Sequence, residues 1–249
     1  MKSTPGTLQE GGAHFHTTDW SLILQAAKSQ VPASSQRALS DFCEAYWPPL
    51  YTFVRRRGYS PSDAQDLVQG FFAHMLKQNT LKRVDRDKGK LRTFLLGSLQ
   101  HFLANEYDWH RTLKRGGGEQ FFSLEDQLAA TEAALVSVTH LNDTASYDQA
   151  WLATLVSRAW QQLERECVAE GKAQILQEMA PYLRGGSLMP DQQEIAARLK
   201  MPFGTFRTIL RRLRLRYREI LRQEVARTVS DPSQVDDELR YLHRLLLAG

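Results

Sequence analysis

A chain of 249 residues can hold one large domain or two small ones, and its 42% hydrophobic and 24% charged residues are ordinary for a globular protein. The formal net charge of +4 is modest, so what matters is where the charges stand. Two distant cysteines, Cys43 and Cys167, form no ligand-like spacing and fit a reduced cytosolic interior better than a disulfide framework.

No apolar run approaches the roughly 20 residues needed to cross a bilayer. The opening MKSTPGTLQEGGAHFHTT lacks the apolar core of a secretory leader. The expectation is a cytoplasmic protein without membrane insertion, with residues 1–17 as a disordered arm.

In chain order, Trp20, Leu22, Ile23, Ala26 and Ala27 predict a first amphipathic helix capped by Thr18 or Asp19. A second runs from about Gln36 towards Arg57, with Pro48 and Pro49 expected to kink or break it. The next start is sharply marked. Ser60 stands at the cap, Pro61 at the first helical position and Asp63 where a capping box wants an acceptor.

From there an apolar face continues to about Gln78, followed by the charged loop TLKRVDRDKGK and a long helix from Leu91, stopped by KRGGG. FFSLEDQLAATEAAL holds at most a short helix, and SVTHLNDTASYD reads as linker. Periodicity resumes at Trp151, is interrupted at Gly171, and gives another short helix closed by RGG at 184–186. Then come DQQEIAARLK, the turn MPFG, an arginine-rich helix, and a last short helix capped by Ser230 or Asp231. Alternating strand pattern is almost absent. The predicted fold is all-α: two helical domains joined by a flexible linker, the second containing a helix-turn-helix.

The arginine helix carries the strongest functional signal. Phe206, Leu210, Leu213, Tyr217, Ile220 and Leu221 form an apolar row at spacings of three and four. Arg207, Arg211, Arg214, Arg218 and Arg222 repeat beside it. Like charges at this spacing repel by a few tenths of a kcal/mol per pair, which a polyanion would offset through counterion release. The preceding short helix, with Ile195, small Ala196 and Leu199, and the four-residue turn containing Gly204 have helix-turn-helix spacing. Thr205, Arg207, Thr208 and Arg211 would then face bases or phosphates, with Arg212 and Arg214 counted beside them as DNA-binding candidates. A solvated helix face is the plainer reading of the same charges, and a basic amphipathic helix can also meet a membrane or a protein.

The seven histidines are scattered and none pairs with Cys or carboxylates at ligand spacing. GGG ends a helix instead of opening one, unlike a phosphate-binding loop. No catalytic residue, metal or cofactor is expected, and the chain is read as a non-enzyme.

At this level of detail the chain resembles bacterial sigma factors of the extracytoplasmic-function type. FCEAYWPPLYTFVRRRGYSPSDAQDLVQGFFAHML is similar to their second conserved region, and DAQDLVQGFF is its most specific piece. KLRTFLLGSLQHFLANEYDWHRTLKRGGG continues that domain, and QQEIAARLKMPFGTFRTILRRLRLRYREILR resembles the fourth region. The resemblance implies a region-2-like domain at 18–118, a linker at 119–147, a region-4-like domain at 148–227 and a C-terminal helical extension at 228–249. It also implies a role: binding core RNA polymerase, reading a minus-35 element as duplex and a minus-10 element as non-template single strand.

By position, Asp66, Leu67, Gln69 and Phe72 fall in the polymerase-binding helix. Arg86 and Lys88 fall in the loop that would hold a flipped base. Arg92, His101, Asn105, Trp109, Lys114 and Arg115 lie along the displaced strand. An anti-sigma factor is a partner the sequence leaves open, as it does the role of 228–249.

The chain departs from the family pattern at several points. Family members often carry Trp, Asn and Asp where this chain has Phe94, His101 and Asn105. Lys200 stands where Gly is frequent, and Pro202 where a capping Ser is usual. The 29 residues 119–147, fully extended, reach about 100 Å, against roughly 70 Å for two duplex turns. Two rivals stand beside this reading: a helix-turn-helix regulator acting without polymerase, and an adaptor whose basic helix meets a protein or membrane surface.

Overall fold

The computed structural model describes residues 33–77, 89–105, 131–132, 142–185 and 189–248. Among the described residues the chain is all-α, with an isolated bridge between Lys90 and Val229 as the only β-type pairing. The helix expected at Trp20–Ala27 lies outside them.

Helix α1 (Ala33–Arg56) runs through both Pro48 and Pro49, so the expected break does not occur. Each proline deprives the helix of one hydrogen bond and costs about 3 kcal/mol in isolation. Packing outweighs it. Tyr46, Trp47, Leu50 and Tyr51 are all fully buried. Trp47 stacks on Tyr51 at 4.3 Å between ring centroids, and Tyr46 on Trp151 at 4.7 Å.

Helix α2 (Pro61–Lys77) starts at the predicted cap. The Asp63 amide donates to Ser60 Oγ at 3.1 Å, and Ser60 Oγ donates back to Asp63 Oδ2 at 2.7 Å. Helix α3 (Leu91–Asn105) follows, burying Leu91, Leu95 and Leu99.

Helix α4 (Asp143–Ala169) begins inside the expected linker. Asn142 caps it, its side chain accepting from the Ala145 amide at 2.8 Å. From Asn142 onward, the stretch that reads as linker is therefore a cap and a first turn. Tyr147 is fully buried, and its hydroxyl donates to the Arg92 carbonyl at 2.9 Å. Residues 143–147 are thus not a flexible linker.

Helix α4 serves two cores. Tyr147, Trp151, Leu152 and Leu155 join those of α1, α2 and α3 in the main core. Ala159, Leu163 and Cys167 pack on Leu176 and Ile220 in another. The expected tether therefore ends on the first unit, not between the two halves.

Helix α5 (Ala173–Arg184) ends at Gly185, whose φ of 75° suits the stop. Helices α6 (Gln192–Arg198) and α7 (Phe203–Ala226) share a third apolar cluster with it: Met179, Tyr182, Ile195, Ala196, Phe206 and Leu210. A 3-10 turn, Pro232–Gln234, starts at Asp231, whose carboxylate accepts from the Ser233 amide at 2.8 Å. Helix α8 (Val235–Ala248) then returns to the main core through Val235 and Leu242.

Candidate nucleic-acid interface

The candidate surface is built on the α6–turn–α7 segment. Asp191 opens α6 by accepting from the amides of Gln193 (2.6 Å) and Glu194 (3.1 Å). The helix closes with a Schellman pattern: the Lys200 amide donates to Ala197 O at 2.9 Å and the Met201 amide to Ala196 O at 3.0 Å. That closure requires a left-handed residue, and Lys200 supplies it with φ 53°. The substitution of lysine for the usual glycine is therefore a strained one.

The turn differs from expectation in one respect. Gly204 belongs to the first turn of α7, which begins at Phe203. Pro202 is the cap residue and offers no side-chain acceptor.

On α7 the apolar row is as the spacing predicts. Phe206, Leu210 and Ile220 are buried, and Leu213, Tyr217 and Leu221 partly so. All arginines of the neighbouring row are exposed, yet they divide into two groups. Arg214 donates to the Tyr182 carbonyl at 3.3 Å, and Arg222 pairs with Asp236. Arg216, on the other flank of the apolar row, grips Glu166 with both Nε (2.7 Å) and Nη2 (2.6 Å). That grip holds the Glu166 carboxyl below its usual range, the Arg216 hydrogen bond being the largest cause.

Arg207, Arg211, Arg212 and Arg218 make no ion pair with a described residue. Arg207 lies 6.0 Å from the centroid of the half-exposed Phe203 ring. Thr205 and Thr208 are exposed beside them, and Thr208 Oγ1 donates to the Gly204 carbonyl at 2.9 Å. The N-terminal half of α7 thus presents unneutralised guanidinium groups and hydroxyls from a face backed by a packed core. Such a surface attracts phosphate and can donate to base edges. Arg214 is the one α7 candidate drawn back onto the protein.

The first unit divides more sharply. Asp66 is exposed and Gln69 half-buried on the outer side of α2, but Leu67 and Phe72 are only 2% exposed and belong to the core. A helix with Leu67 and Phe72 turned inward cannot offer them to a partner, so the expected four-residue contact set reduces to Asp66 and Gln69. His101 and Asn105 are exposed on the last turn of α3, with Asn105 Nδ2 at 3.3 Å from His101 Nε2. Arg86, Lys88, Trp109, Lys114 and Arg115 lie outside the described residues.

Arg92 points the other way. Its side chain is 13% exposed, with Nη1 at 2.5 Å from Asp148, Nε at 3.2 Å from Glu238, and its guanidinium 4.3 Å from the Tyr241 ring centroid. Tyr241 itself donates to Asp148 at 2.5 Å. Burial pushes the Arg92 pKa down, but Asp148 and Glu238 more than offset it, so the net shift is upward. In this arrangement Arg92 binds α4 and α8, not a displaced strand.

Two further ionic contacts were not foreseen. Arg55 Nε and Tyr51 Oη both donate to Glu132, at 2.6 and 2.5 Å. Arg158 Nε meets Glu224 at 2.8 Å, joining α4 to α7. Their partners stand 77 and 81 residues apart in the first case, beyond the reach of any local pattern.

Among the described residues no group of three His, Cys, Asp or Glu side chains is placed to hold a metal ion, and no helix is long and apolar enough to cross a membrane. Compared with family models, curated proteins and solved structures, the chain matches none.

Proposed function

We propose that this chain is a promoter-specificity (sigma) subunit of a bacterial RNA polymerase, working in the cytoplasm without cofactor or reaction chemistry of its own. It binds core polymerase through the outer side of α2, with Asp66 and Gln69 as contacts. It reads duplex DNA through the N-terminal half of α7, with Thr205, Arg207, Thr208, Arg211 and Arg212 as the reading set. His101 and Asn105 at the end of α3 meet the displaced strand.

The observation that carries the reading is the α6–turn–α7 segment with its free arginines. Arg207, Arg211 and Arg212, without carboxylate partners among the described residues on the N-terminal half of α7, are electrostatically costly unless a polyanion meets them. The sequence resemblance supplies the polymerase, and the exposure of Asp66 suits it.

The test separates the two contacts. Arg207→Ala should weaken promoter selection while leaving polymerase capture intact, and Asp66→Ala should do the reverse. Equal loss of both functions in either variant would contradict the division. The burial of Leu67 and Phe72 favours a second reading, a helix-turn-helix regulator acting without polymerase. Such a protein would footprint duplex DNA alone and ignore core enzyme.

A further inference from the structure

The first turn of α8 carries three consecutive acids, Asp236, Asp237 and Glu238. Two of them reach basic segments far apart in the chain. Asp236 pairs with Arg222, from the arginine row of α7. Glu238 pairs with Lys90 at 2.7 Å and Arg92 at 3.2 Å, where the run Lys82, Arg83, Arg86, Lys88, Lys90, Arg92 enters α3.

The two pairs differ in weight. Asp236 and Arg222 are both well exposed, so salt and water screen them. Glu238 is 1% exposed and its carboxylate is enclosed by the two cations. Backbone contacts hold the same junction closed: the Leu91 amide donates to Thr228 O at 2.8 Å, and Lys90 bridges Val229. Acids at a helix N-terminus are also favoured by the backbone dipole.

We propose that the acidic first turn of α8 is an autoinhibitory latch, an internal polyanion that occupies Lys90 and Arg222 until a nucleic-acid backbone replaces it. The inference rests on the sigma reading for the identity of the competing polyanion. Its chemistry is plain exchange: carboxylate leaves, phosphate arrives, and the cations change partners. Glu238 is the part that matters, because it holds two cations and is shielded from solvent. Release of Glu238 frees Lys90 fully, whereas Arg92 keeps Asp148.

The experiment uses the full chain and a 12-nucleotide single-stranded DNA, with affinity read by fluorescence anisotropy from 50 to 200 mM salt. Glu238→Gln keeps the shape and removes the charge. It should tighten binding at least five-fold and steepen the salt slope by about 0.7, the value for one added phosphate contact on a single strand. Adding Lys90→Gln should abolish the gain. Unchanged affinity in Glu238→Gln overturns the latch, and so does a gain that survives Lys90→Gln. Should Glu238→Gln fail to fold, the exposed Asp236→Asn keeps the question open to test. It should raise duplex affinity by about two-fold through Arg222, and no change would overturn the latch. Wild-type protein is assayed alongside for polymerase capture. Absence of capture removes the sigma reading but leaves a positive single-strand result standing, so the two failures are distinguishable.

Discussion

At the scale of single residues, Lys200 is the clearest case of strain. A lysine at φ 53° closes α6 where glycine would do so freely. Left-handed backbone costs a non-glycine residue about 1–2 kcal/mol, part of which glycine gives back through its more flexible unfolded chain. Lys200→Gly should therefore stabilise the protein by about 0.5–1 kcal/mol, seen as a raised denaturant midpoint with unchanged slope. On the proposed function it should also remove one cation near the α6–α7 turn, so DNA affinity should fall as stability rises.

Glu132 gives a pH-dependent counterpart. The hydrogen bond from Arg55 is the largest of the causes that hold its carboxyl below the ordinary value of 4.5, and Tyr51 adds to it. A carboxyl whose folded pKa is depressed contributes stability above its unfolded pKa and loses it as pH falls through the folded one. Wild type should therefore be more stable than Glu132→Gln at pH 7, by about 1–2 kcal/mol for a charge-assisted bond. The gap should close progressively below pH 4.5. Denaturant titrations at pH 7, 5 and 3 measure it, and a gap as large at pH 3 as at pH 7 would contradict the assignment.

Local chemistry of this kind is what the sequence makes legible. The Ser60–Pro61–Asp63 start was readable because a cap is decided within four residues. Arg92 was not, since its carboxylate partners stand 56 and 146 residues further along. Nothing around Arg92 in the sequence distinguishes an internal clamp from a strand-binding cation. Leu67 and Phe72 were placed by resemblance to a motif, whereas their apolar spacing already pointed to the core they occupy.

At the scale of elements, the proposed function has α7 separate stability from recognition on one helix. Leu210 is 3% exposed in the cluster shared with α5 and α6, whereas Arg211 beside it is exposed without an ionic partner. Leu210→Ala should cost about 2–5 kcal/mol of stability through the cavity it leaves. Arg211→Ala should change stability by no more than about 0.5 kcal/mol, while lowering the salt slope of duplex binding by about 0.9. Paired unfolding and anisotropy measurements on the two variants check this. The apolar row was legible because a helix repeats its faces every 3.6 residues. The division of the arginines was not, since Arg214 and Arg216 are neutralised or drawn back by Tyr182 and Glu166 on other helices. Similarly, α1 survives Pro48 and Pro49 because aromatic packing from α4 supports it, and no local rule contains that term.

At the scale of the whole molecule, α4 decides how the halves relate. Its 27 residues make a rod about 40 Å long, with one end in the main core and the other in the cluster with α5 and α7. Helix α8 closes the same junction from the opposite terminus through Val235, Leu242 and Glu238. The described part of the chain should accordingly unfold in one cooperative transition, with probes on α2 and α7 reporting the same midpoint. Trp151→Ala, which empties the stack against Tyr46, should cost about 3–5 kcal/mol of stability and lower both midpoints together. Separate midpoints would indicate two independent domains on a tether.

The central claim concerns a partner. Free arginines on α7 and exposed Asp66 on α2 have a common purpose if the protein directs a polymerase to DNA. The most direct measurement is capture of bacterial core RNA polymerase by the full chain at low salt, followed by mapping of transcript starts. The account predicts a stable complex that initiates at defined sites and is weakened by Asp66→Ala. Protein that binds duplex DNA but never retains core polymerase would contradict it.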